Sequence, residues 1–122
     1  MNVKAKIWIE DGEQNLVFGE GKTQILEYIN ELGSISKAAK KANINYKKAW
    51  THINTIENNI SDNIVVRKKG GANGGGTTLT PKGVELIDKF NQFREEVRRF
   101  ADDKFQELFL EQELIKLQER KA

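Results

Sequence analysis

The sequence predicts a mainly α-helical fold with a small β component, and three observations carry that reading. Apolar residues recur at helical spacing in separate stretches before position 61. Two short β-prone runs then flank a basic, glycine-rich loop. After Gly83 the chain contains neither proline nor glycine, so one long helix can extend toward the C-terminus.

The elements follow in order. Residues 3–9 (Val3-Lys4-Ala5-Lys6-Ile7-Trp8-Ile9) alternate apolar and polar, the period of a half-buried strand. Glu10 to Asn15 is polar turn material, and Leu16-Val17-Phe18 returns as the second strand of a hairpin. From Lys22 the period changes: Ile25, Leu26, Ile29 and Leu32 mark a first helix, with Gly33 as its C-cap. Ser34 is the N-cap of a short second helix whose Ala38, Ala39 and Ala42 let a neighbour approach closely. Asn43-Ile44-Asn45 breaks that helix, and Asn45 caps a third. Ala49, Ile53, Ile56 and Ile60 form the apolar stripe of this third helix.

Ile64-Val65-Val66-Arg67 and Thr77-Thr78-Leu79 read as paired strands around Lys68-Lys69-Gly70-Gly71-Ala72-Asn73-Gly74-Gly75-Gly76. Thr80 then caps the last helix, with Pro81 at the first helical position, where its missing N–H costs nothing. Leu86, Phe90, Phe93, Val97 and Phe100 follow a four-three-four-three spacing, a coiled-coil-like seam. The apolar phase then shifts to Phe105, Leu108, Phe109, Ile115 and Leu117, which predicts a kink or helix end near Asp102-Asp103. The organisation expected is a domain over residues 1–83 and a helical dimerisation segment over 84–122.

Composition narrows the chemistry. The 122 residues include no Cys and one His, so there is no disulfide framework, no thiolate metal site and no multi-His metal centre. No apolar run approaches the roughly 20 residues that cross a bilayer, and the start lacks the apolar core of a secretory signal. The reading is cytoplasmic, without membrane contact, metal or cofactor, and not an enzyme. Paired acids such as Glu95-Glu96 and Asp102-Asp103 diverge by about 100° on a helix and are solvated charges rather than a catalytic pair.

Charge is segregated along the chain. Residues 34–82 hold nine basic side chains against Glu57 and Asp62, a net of +7. The flanking segments 1–33 and 83–122 carry nets of −3 and −2. Cations gathered where acids have been withdrawn are the footprint of a polyanion partner. On a helical wheel of residues 45–58, Lys47, Thr51, Asn54, Thr55 and Asn58 stand opposite the apolar stripe, with Lys48 at their edge. None is acidic, and Asn and Lys are side chains that discriminate adenine and guanine. Glu57 lies beside the stripe, away from that face. Tyr46 and Trp50 flank the stripe, Trp50 as a packing residue, and His52 is expected to make a packing or phosphate contact rather than act as a pH switch.

Two short helices joined by a tight turn, followed by a ribbon with a basic tip, describe a winged helix-turn-helix with an N-terminal β-hairpin and a long C-terminal helix. The third helix of such a fold enters the major groove while the second braces it on the backbone. Ser36 and Lys37 are then the phosphate contacts of the second helix; Asn45, Tyr46, Lys47, Lys48, Thr51, Asn54 and Thr55 form the groove-facing set. Arg67, Lys68, Lys69 and Asn73 are the wing contacts. The glycine-rich loop does not read as a triphosphate cradle, because no Lys-Ser/Thr pair follows it and it leads into a strand.

The runs Gly33-Ser34-Ile35-Ser36-Lys37-Ala38-Ala39-Lys40, Ile44-Asn45-Tyr46-Lys47-Lys48-Ala49-Trp50, Gly70 to Gly76 and Leu79-Thr80-Pro81-Lys82-Gly83 resemble the N-terminal DNA-binding domain of the ModE family of molybdate-responsive transcriptional regulators. More distantly they are similar to LysR-type winged helices. The resemblance covers roughly residues 22–90. It implies a homodimeric regulator of double-stranded DNA binding a palindromic operator, dimerised partly through a helix after the wing; here Leu86, Phe90, Phe93, Val97 and Phe100 are its candidate seam. ModE proteins also carry β-rich molybdate-binding domains. Nothing after Gly83 reads as strand, so a stand-alone DNA-binding domain is expected, any effector acting through a separate sensing protein. The alternative is a helical protein-interaction adaptor using the C-terminal amphipathic helix.

Overall fold

Local hydrogen bonds mark the end of the first helix and the starts of the three that follow it. The computed structural model describes residues 1–68 and 76–110, with β1 at Trp8–Glu10, β2 at Leu16–Gly19 and α1 at Glu20–Leu32. Helix α2 spans Ile35–Lys41 and α3 Tyr46–Ile60; β3 (Val65–Lys68) and β4 (Gly76–Leu79) precede α4 (Pro81–Phe105). Gly33 closes α1 in the left-handed region at φ 68°, its N–H donating to the Ile29 carbonyl at 2.8 Å. The Ser34 hydroxyl accepts from the Lys37 N–H at 3.1 Å and the Asn45 side chain from the Lys48 N–H at 2.7 Å. Thr80 Oγ1 does both jobs at the last junction, accepting from Gly83 N–H and donating to the Asn63 carbonyl.

Packing divides the described residues into two units, one within Ile7–Phe90 and a second comprising Met1–Lys6 with residues 91–110. In the first unit Ile25, Leu26 and Ile29 of α1 meet Ile53 and Ile56 of α3, with Ile64 among them, all fully buried. Burying each such side chain contributes about 1.5–3 kcal/mol. Ala38, Ala39 and Ala49 are buried too; their small side chains let α2 and α3 approach closely. Beneath them Phe18 of β2 meets Phe90 of α4 edge to face, ring centroids 4.9 Å apart.

The two hairpins form two separate two-stranded sheets. In the second, Val65 pairs with Leu79, Val66 with Thr78, Arg67 with Thr77 and Lys68 with Gly76. This ribbon is tied to α1, because the buried Thr77 donates its N–H to the Gly33 carbonyl at 2.9 Å.

Two expectations are corrected. The alternating run at residues 3–9 is strand only from Trp8, because Trp8 already pairs with Gly19 and the next residue, Glu20, begins α1. Residues before Trp8 therefore have no extended partner opposite them. The helix also does not end at Asp102-Asp103. Helix α4 continues to Phe105, and the winding changes at Gln106–Leu110, a π-helical turn whose extra residue shifts the side-chain phase. Ile115 and Leu117 lie outside the described residues.

Candidate nucleic-acid interface

The outer face of α3 is built by what its inner face does. Ala49, Ile53 and Ile56 are buried, which turns Lys47, Lys48, Thr51, Asn54 and Asn58 to solvent and leaves Thr55 half-buried. The helix's single acid is held off this face: Glu57 bends inward and its carboxylate accepts the Ile64 N–H at 2.9 Å. Neither Lys47 nor Lys48 is paired with an acid among the described residues. The result is a solvent-facing surface of ammonium, amide and hydroxyl groups at the second helix of a helix-turn-helix.

Beside it stands the root of the wing. Arg67 on β3 donates through Nη2 to Tyr46 Oη at 3.0 Å, and its guanidinium lies 4.9 Å from the Trp50 ring centroid. Tyr46 and Trp50 meet edge to face at 6.4 Å. Three side chains thus join the first turns of α3 to β3. Tyr46 remains 45 % exposed, so the cluster lies at the surface. Lys68, one residue on, is exposed; Lys69 and Asn73 lie outside the described residues.

Ser36 and Lys37 are exposed on the first turn of α2. Asn45 is exposed as well, but its side-chain oxygen is committed to the cap. Lys41 in the same helix is taken by Glu31 at 3.2 Å and lies 4.6 Å from the Tyr28 ring centroid. His52 sits on the inner flank of α3, half-buried, with Nδ1 enclosed and, among the described residues, without a hydrogen-bond partner. Burial first, then Lys22 and Lys48, hold its pKa below the ordinary imidazole value. Lys22 is itself buried, donating to the Leu16 carbonyl at 2.6 Å, and desolvation lowers its pKa.

The seam residues divide between the two units. Phe90 is 3 % exposed and belongs to the core against Phe18, and Leu86 is packed on the same core. Phe90 is therefore a core residue, its ring covered by its own chain. In the second unit Phe93 and Phe100 are 48 % and 64 % exposed, and Val97 is half-buried. Phe105 and Phe109 stack at 5.6 Å further on.

Sequence reasoning missed the Trp50–Arg67 contact and the inward hydrogen bond of Glu57. The first joins α3 to β3 and the second joins α3 to the segment just after it, seven residues on, so neither follows from a helical period. Among the described residues no group of three His, Cys, Asp or Glu side chains could hold a metal ion, and no helix is long and apolar enough to cross a membrane.

The bacterial regulatory helix-turn-helix protein, lysR family, matches residues 22–84, from the start of α1 to the first turn of α4. The molybdenum transport protein ModE of Azotobacter vinelandii is 34% identical over 92 residues, covering 75% of this chain and 34% of that protein. The DNA-binding transcriptional dual regulator ModE of Escherichia coli (strain K12) is 41% identical over 80 residues, 65% of this chain and 30% of its own. Among solved structures, ArgP from Mycobacterium tuberculosis superposes with a TM-score of 0.49 at 18% identity, covering 75% of this chain and 31% of that one. The chain thus spans about a third of the length of these relatives. The match runs through α2, α3 and the wing strands, and on it this chain belongs to the lysR family of bacterial regulatory helix-turn-helix proteins.

Proposed function

We propose that this chain is a transcriptional regulator that binds double-stranded DNA in a sequence-specific manner, α3 lying in the major groove and the β3–β4 wing on the flanking backbone. The observation that carries the reading is the outer face of α3: exposed Lys47, Lys48, Thr51 and Asn54, with Glu57 drawn off that face by the Ile64 N–H. Helices of this kind read base edges from their first turns, and Lys and Asn match the acceptors of guanine and the paired groups of adenine. Arg67, Lys68 and Lys69 add cations at the wing, and Ser36 and Lys37 at α2. The ModE relatives described as transcriptional regulators support the same reading. It places the chain on DNA in the cytoplasm and assigns it no reaction.

The reading includes a homodimer. A single module offers few base contacts, each good bidentate pair worth roughly 1–3 kcal/mol, against a genome of competing sites. The exposed rings of Phe93 and Phe100 on α4 are the apolar surface a second copy would cover. Two copies would then present their recognition helices about 34 Å apart, one turn of DNA.

Selection of bound duplexes from a random pool tests the whole reading: a twofold-symmetric motif supports it, and an unenriched pool removes it. Lys47→Ala with Lys48→Ala should weaken binding to the selected duplex at least tenfold in a shift assay, and unaltered binding would take α3 out of the groove. Phe93→Asp should convert dimers to monomers in sedimentation; a persistent dimer would move the contact elsewhere on the chain.

A further inference from the structure

One row of α3 is stitched to its own backbone. Thr51 Oγ1 donates to the Lys47 carbonyl at 3.0 Å, Thr55 Oγ1 donates to the Thr51 carbonyl at 2.8 Å, and Asn59 Nδ2 donates to the Thr55 carbonyl at 2.8 Å. Back-bonding of this kind commits the only proton a threonine hydroxyl has. What remains on each oxygen is a pair of acceptor sites. Of the two threonines, Thr51 is exposed whereas Thr55 is half-buried, so Thr51 is the one whose hydroxyl can touch a ligand directly.

The base edges of the major groove carry two kinds of group. Guanine O6 and N7, thymine O4 and adenine N7 accept hydrogen bonds, while adenine N6 and cytosine N4 donate them. A hydroxyl with a free proton can meet either kind and discriminates poorly. One whose proton is spent can meet only the amines. Lys47, one turn earlier on the same row, has the opposite character, since an ammonium carries donors and no acceptor. Asn54, with both a carbonyl and an amide NH2, can serve either.

We propose that Thr51 is a specificity-determining residue that reads the exocyclic amine of an adenine or cytosine as an acceptor only, its proton being held by the Lys47 carbonyl. This rests on the duplex-binding reading above, and it assigns the chemistry of one position within it. The helix supplies the orientation of the hydroxyl before DNA arrives, so no rotor has to be ordered on binding.

The test begins with the duplex selected from a random pool. Each adenine in a half-site is replaced in turn by purine, which lacks the N6 amine, and each cytosine by pyrimidin-2-one, which lacks N4. At one position the loss of the amine should weaken binding of the wild type roughly 3- to 10-fold, the scale of one hydrogen bond. Thr51→Val, which keeps the branched shape and removes the oxygen, should lose that sensitivity at that position alone. Thr51→Ser, which keeps the oxygen, should retain it. Equal amine sensitivity in the wild type and Thr51→Val overturns the assignment while leaving duplex recognition intact. A pool that enriches no sequence removes the duplex reading and this assignment with it. Thr51 is exposed, so both variants keep the fold, checked by circular dichroism.

Discussion

Arg67 and Tyr46, twenty-one residues apart, are joined by a 3.0 Å hydrogen bond from guanidinium to phenol. That bond ties the root of the wing to the first turn of α3, and the Trp50 ring lies 4.9 Å from the same guanidinium. Arg67 is thus engaged within the protein, linking β3 to α3. Its charge is still at the surface, so holding the wing and facing a phosphate are compatible roles.

Removing this strut should be visible without DNA. In a Trp8→Phe background Trp50 is the one remaining tryptophan of the two in the chain. Arg67→Ala should then alter the Trp50 emission intensity and weaken binding to all duplexes by about 5- to 10-fold, while Arg67→Lys should restore the charge but not the bond to Tyr46. An emission spectrum indifferent to Arg67→Ala would mean that the guanidinium–indole contact is not made in solution.

Gly83 stands where the first turn of α4 crosses the root of β3. A Cβ built at this position would meet the Ile64 carbonyl oxygen at 2.5 Å and the Leu79 Cβ at 3.3 Å. The carbonyl is fixed, since it already accepts the Thr80 N–H at 3.0 Å. Gly83→Ala should therefore destabilise the fold by about 1–3 kcal/mol through overpacking, despite alanine's better helix propensity. Thermal or urea denaturation measures this, and a variant as stable as the wild type would mean that the crossing is looser than described.

His52 makes stability depend on pH. Its folded pKa lies below the ordinary value of 6.5 because burial and the charges of Lys22 and Lys48 disfavour a further cation there. The unfolded chain then binds more protons over the interval between the folded value and 6.5, so stability rises with pH through that interval. The full contribution is present above 6.5 and is lost as pH falls below it. Asp11 and Glu85, held below 3.8 and 4.5 by their hydrogen-bond and charge partners, lose their contributions at lower pH. Urea midpoints at pH 8 and pH 5.5 should differ in the wild type and converge in His52→Gln; equal midpoints in the wild type would contradict the enclosed, unpartnered Nδ1.

Much of this protein was legible before folding was considered. The caps at Ser34, Asn45 and Thr80, the left-handed Gly33 and the isoleucine stripe of α3 are local facts, set by spacing of a few residues and by which side chains can take a free N–H. The face opposite that stripe follows from the helical period alone. Tertiary structure decided what depends on separate elements meeting. It folded Glu57 onto the Ile64 N–H, clamped Arg67 between Tyr46 and Trp50, and placed Phe90 in the core against Phe18, away from the exposed seam. A hydrophobic repeat states that one side of a helix is apolar. Only the arrangement of neighbouring elements determines how far along that side their atoms reach, and so where the covered surface stops and the uncovered surface begins.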